Sequence, residues 1–171
     1  MEFGDSTRFS ITIELDPQYG ACWLFGRIAY WISGEMVGSY DIGTSLRDVL
    51  FQMEPILADS GRRISQRLFL LEKEKIFFLV ESALERSNEA IYAYVPANVL
   101  PARFDVRIPV DTFDSWKIFL VDGEEEAKLM YRNIDSPYVK QIHLRSGEFD
   151  DVFAKAHAYL DQLYEAEVSR M

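Results

Sequence analysis

Gly20–Met53 reads GACWLFGRIAYWISGEMVGSYDIGTSLRDVLFQM: a strand, a tight turn, a returning strand and a capped helix. Ala21 to Ile32 is rich in aromatic and branched residues, which suit a pleated, half-buried surface. Trp23, Phe25 and Trp31 fall on one face of that strand, with Leu24, Ile28, Tyr30 and Ile32 on the other. A strand apolar on both faces is either central, with both faces covered, or exposes one face to a partner; the central, covered placement is expected. Ser33-Gly34 supplies a two-residue turn, glycine taking the positive φ that hairpin loops need. Val37 to Tyr40 then returns as a short partner strand, and Asp41 to Gly43 breaks it. Thr44 or Ser45 is placed to accept the first free N–H groups of a helix. Ser45 with Asp48 resembles a capping box, with Asp where Glu or Gln is usual. Leu46, Val49, Leu50, Met53, Ile56 and Leu57 lie on one helical face. A hairpin under a helix is therefore the seed of the core.

Outward from that seed the pattern stays short and antiparallel. Phe9, Ile11, Ile13 and Leu15 alternate with polar residues as a half-buried strand. Residues 58–67 (ADSGRRISQR) form a polar loop whose Arg62, Arg63 and Arg67 are available to an acidic partner. Glu72 to Glu85 predicts a second helix, with Ile76, Val80, Ala83 and Leu84 on one face. Ser87 to Arg103, with Pro96 and Pro101, is read as irregular, apart from a short extended piece at Tyr92, Tyr94 and Val95. Phe104, Val106 and Ile108 alternate again as a strand stopped by Pro109. Trp116 to Val121 and Ala127 to Tyr131 form a second hairpin around Asp122-Gly123. Tyr138 to Arg145 adds a strand, and a long amphipathic helix starts near Glu148, its stripe running from Phe149 to Leu163. The expected fold is α+β: a mainly antiparallel sheet of about six to seven strands with three helices, in a single domain over 1–171.

Composition narrows the function. The 171 residues carry 28 acidic and 18 basic side chains, a net charge of −10, with mean hydropathy −0.09. Phosphate attraction needs basic surface, so nucleic-acid binding is disfavoured and a basic partner is favoured. Aromatics at 14% exceed the needs of a core this size, which places some of them at contact surfaces. The single cysteine, Cys22, excludes an internal disulfide and a multi-cysteine metal site. No signal-peptide pattern opens the chain and no apolar run is long enough to span a bilayer, so a cytoplasmic protein is expected.

Catalytic patterns are sparse. Neither common phosphate-loop spacing nor a paired-histidine metal motif occurs, so no catalytic residue, metal or cofactor is assigned. His143 alternates outward on its strand, and His157 sits on the edge of the last helix's apolar stripe. Cys22 beside Trp23 is read as a small hydrophobe at a strand start. Asp122, Glu124, Glu125 and Glu126 crowd the second hairpin's tip, as either a solvated turn or a negative knob for a basic site. Trp116 and Tyr131, on the same hairpin, are the aromatic anchors expected beside it. Glu148, Asp150 and Asp151 open the last helix, where its dipole accounts for them.

Gly4-Asp5, Phe9-Ser-Ile, WLFG at 23–26, YWISG at 30–34 and YDIGTSLRDVLFQM at 40–53 together resemble the immunity protein 42 family, and VDTFDSWKIFLVD at 110–122 resembles its second half. The resemblance is close over the first third and looser beyond Met53. It implies a non-enzymatic bacterial protein of a polymorphic toxin system, which neutralises the toxin encoded beside it by direct binding. The acidic charge fits a basic toxin surface. Two other classes compete: a small hydrolase or ligand-binding protein with a carboxylate cleft and His143 or His157, and a homo-oligomeric scaffold joined through the two-sided aromatic strand.

Overall fold

In the computed structural model, residues 1–170 are described. In chain order the strands are β1 (Glu2–Asp5), β2 (Phe9–Leu15), β3 (Phe25–Ile32), β4 (Glu35–Val37), β5 (Thr44–Ser45), β6 (Trp116–Asp122), β7 (Glu126–Asn133) and β8 (Lys140–Arg145). The helices are α1 (Leu46–Ala58), α2 (Gln66–Phe69), α3 (Lys73–Arg86) and α4 (Glu148–Val168), with short 3-10 turns between. The α+β expectation holds, with every strand pair antiparallel. The strands divide into a five-stranded sheet (β1-β2-β3-β4, with β5 also on β3) and a three-stranded sheet (β6-β7-β8). The chain clusters into two compact units: residues 1–58, 108–115 and 149–171, and residues 59–107 and 116–148.

The first unit is built on the opening stretch. Phe9, Ile11 and Ile13 of β2 and Ile28, Tyr30 and Ile32 of β3 project from one sheet face and are at most 1% exposed. Leu46, Val49, Leu50 and Met53 of α1, and Phe149, Phe153, Ala156 and Leu160 of α4, are buried with them. Phe9 stacks on Phe149 at 4.8 Å between ring centroids, and Tyr30 tilts against Phe113 at 4.7 Å. Each large aliphatic or phenylalanine side chain among them stabilises the fold by about 1.5–3 kcal/mol relative to exposure. Ser45 caps α1 as its sequence position implied, its hydroxyl accepting the Asp48 N–H at 3.2 Å.

Three expectations change here. Ala21–Trp23 is a 3-10 turn, flanked by Gly20 and Leu24 in the left-handed region, so the strand begins at Phe25. β3 is central by pairing, but only one of its faces is covered: Phe25 is 43% exposed and Trp31 is half-buried. Glu2–Asp5 is an edge strand that its polar sequence concealed. Gly4 there adopts φ 98°, and a Cβ would lie 2.3 Å from the Phe9 carbonyl oxygen.

The second unit packs α3 on its sheet around Phe77, Val80, Phe119, Val121 and Met130. Glu81 on α3 binds Lys117 (2.6 Å) and Arg132, and Lys117 also reaches Glu85. Burial opposes the Lys117 charge, yet the two carboxylates outweigh it and hold its pKa above the ordinary lysine value. The stretch Phe104–Ile108 is not a strand. Pro101 opens a 3-10 turn through Phe104, and only an isolated Asp105–Phe119 bridge and the Val106 N–H to Ile118 carbonyl bond (3.0 Å) follow. Tyr92 and Tyr94 likewise belong to a 3-10 turn and its cap. Arg63 is fully buried, its Nε donating to the Arg103 carbonyl at 2.9 Å, which leaves Arg62 and Arg67 as the exposed arginines of that loop.

Candidate functional site

The second hairpin presents its glutamates as its sequence implied, on a scaffold that its sequence did not reveal. Glu124, Glu125 and Glu126 are exposed and, with Gln66 and Phe69, line a shallow pocket of about 250 Å³. The turn is held shut by the Gly123 N–H to Glu126 carbonyl bond (2.8 Å). Gln66 Oε1 accepts the Glu124 N–H at 3.0 Å, so α2 props the tip from below. Gly123 is needed for that approach: a Cβ there would sit 2.9 Å from the Phe69 ring and 3.0 Å from Gln66 Oε1. Lys128 Nζ donates to the carbonyls of Phe69 (2.6 Å) and Leu71 (2.9 Å) and lies 4.8 Å from the Phe69 ring centre. His143 on β8 pairs through Nδ1 with Glu126 at 2.9 Å and meets the Phe69 ring edge-on. The tip is thus braced by Gln66, Lys128 and His143.

Three of the six residues singled out from the sequence lie elsewhere. Asp122 is not on the tip: it is 7% exposed and ends β6, clamped to residues 63–65. Its N–H donates to the Arg63 carbonyl (3.0 Å) and its carbonyl accepts the Ser65 N–H (2.9 Å). Trp116 and Tyr131 do pair, at 6.3 Å between centroids, but at the hairpin's far end. Trp116 opposes Asn133 and Tyr131 opposes Ile118, whereas Asp122 opposes Ala127. At about 3.4 Å per residue, Trp116 is roughly 20 Å along the strand from Asp122. Tyr131 is also only 3% exposed. The aromatic beside the glutamates is Phe69, and the short helix carrying it was hidden in a loop-like sequence. Asp122-Gly123 was its one sequence signal, since a glycine at a hairpin tip also marks close approach by another segment.

Charge is divided unevenly between the units. The first holds 15 acidic and 5 basic residues, net −10; the second holds 13 of each, net zero. The net charge that sets the long-range field of the protein therefore lies in the first unit. Cys22 and His143 belong to different units. Among the described residues, no three His, Cys, Asp or Glu side chains are grouped to hold a metal ion, and no helix is long and apolar enough to cross a membrane.

The fold has a counterpart in the crystal structure of CdiI from Burkholderia dolosa AUO158, with a TM-score of 0.72 at 20% identity, covering 93% of this chain and 99% of that one. No curated protein matches the sequence significantly. The family model of immunity protein 42 matches residues 1–159, well over half of the chain. The chain belongs to that family. It is an immunity protein, which acts by binding a toxin and so neutralising it.

Proposed function

We propose that this immunity protein inhibits a toxin domain with a basic working surface, in the cytoplasm, by occupying that surface and without catalysis of its own. The observation that carries this reading is a net charge of −10 in a family defined by toxin neutralisation. An acidic protein is drawn to a basic groove at long range and covers it once docked. Glu124 and Glu125, with Glu126 held by His143, supply charged contacts at the hairpin tip, and Phe69 takes the anchoring role first given to Trp116 and Tyr131. Both compact units are discontinuous in sequence, which supports residues 1–171 acting as one module.

Growth of a heterologous bacterium expressing the toxin domain encoded beside this chain tests the reading. Co-expression of the chain is expected to restore growth, with the two proteins co-purifying. A toxin that kills equally in the chain's presence overturns it.

A further inference from the structure

The uncovered face of the five-stranded sheet carries a second organised feature, in the unit that holds the whole net charge. Glu2, Ser6, Thr12, Trp31, Met36 and Tyr40 line a pocket of about 250 Å³. That is below the roughly 300–1,000 Å³ of typical small-molecule sites and suits a single inserted side chain. Its walls are held by side-chain bonds across the sheet. Trp31 Nε1 donates to Thr12 Oγ1 at 3.1 Å, and the Ser10 hydroxyl donates to Glu2 Oε1 at 2.9 Å. Tyr40 donates its hydroxyl to Glu14 Oε2 at 2.7 Å. Burial first, and then that bond to Glu14, push the Tyr40 pKa up to about 12, so the phenol keeps its proton. Glu2 is exposed, as is Glu14, which also pairs with Arg27 at 3.6 Å.

We infer that this pocket receives an arginine side chain of the bound toxin. The inference rests on the toxin-binding reading and extends it from the hairpin tip to a named pocket in the other unit. A guanidinium is planar and weakly hydrated, so it lies against an aromatic wall while its N–H groups bond carboxylates. Trp31 and Tyr40 with Met36 provide the wall and Glu2 provides the acceptor, while Glu14, outside the lining, holds the Tyr40 hydroxyl. A negatively charged partner is repelled by a unit carrying ten more acids than bases. A purely apolar anchor would gain nothing from the Glu2 carboxylate or from the negative field of this unit. Charge complementarity thus selects a cation, and the aromatic wall selects arginine over lysine.

Two measurements test this. In the first, the full chain is titrated with a hexa-arginine or a hexa-lysine peptide while the Trp31 indole N–H is followed by NMR. Expected is a saturable shift with hexa-arginine, at least fivefold weaker with hexa-lysine and abolished in E2K. An unmoved Trp31 signal overturns the pocket, and equal responses to both peptides overturn the choice of arginine. In the second, the toxin domain is titrated with the wild type, W31A and E2K. Weakening of tenfold or more is expected for W31A and E2K alike; E2K alters an exposed residue and guards against a folding defect in W31A. Wild-type affinity in both variants overturns the inference while leaving toxin binding intact. If the wild type itself fails to bind toxin, the functional reading has failed, and the peptide titration alone decides whether the pocket takes arginine.

Discussion

Gly26→Ala is expected to cost at least about 3 kcal/mol of stability in urea unfolding. Gly26 sits in β3 opposite Leu15. A Cβ there would lie 2.2 Å from the Glu14 carbonyl oxygen and 2.7 Å from Leu46 Cδ1. The first obstacle is backbone and cannot swing aside, so either the β2–β3 ladder or the seat of α1 must give. Gly34→Ala is the matched control. It stands in open space at φ 78°, so only the left-handed conformation opposes it, at about 1 kcal/mol. A Gly26 variant no less stable than the Gly34 variant would contradict the described packing of α1 on β3.

Gly26 also shows what a sequence can and cannot reveal. The opening stretch disclosed the hairpin, the turn at Ser33-Gly34, the cap at Ser45 and the buried stripe of α1, because each is a local pattern. Alternation likewise disclosed β2 and β8, the Asp122-Gly123 turn disclosed β6 and β7, and helical spacing disclosed the core face of α4. What stayed hidden depends on contacts distant in sequence. Nothing local marks Gly26 as the point where Leu46 and Glu14 converge. Gly20 marks a turn, but nothing local shows that it carries on through Ala21 and Leu24 in the left-handed region. Phe104, Val106 and Ile108 alternate as a strand would, and all three are buried, but they pack without a ladder partner beyond one bridge. The same applies to the site. The three glutamates were legible as a charged tip, whereas their neighbour Phe69 lies 55 residues earlier than Glu124 and only the fold unites them. The −10 charge was legible as a total, and its confinement to one unit was not.

Reversing Glu124, Glu125 and Glu126 together to lysine is expected to weaken toxin binding by about 30-fold, close to 2 kcal/mol. Exposed charges act mainly on encounter, so the loss should appear chiefly in the association rate and shrink as salt is raised. Stability should change far less, because the tip's bracing runs through the Glu124 N–H, Gln66 and Lys128 rather than the glutamate carboxylates. His143 loses its Glu126 partner in this variant, so Glu124→Lys with Glu125→Lys alone separates that contribution. A triple variant that binds with unchanged rate and affinity removes the tip from the interface. The charge of the first unit would then be left to account for the attraction.

The most direct measurement is a titration of the purified toxin domain with the purified chain, following toxin activity and complex mass together by light scattering. A 1:1 complex with Kd of roughly 1 nM or below is expected, with toxin activity falling linearly to zero at equimolar chain. Activity that persists in excess chain, or that is lost at far less than one chain per toxin, would contradict neutralisation by stoichiometric binding.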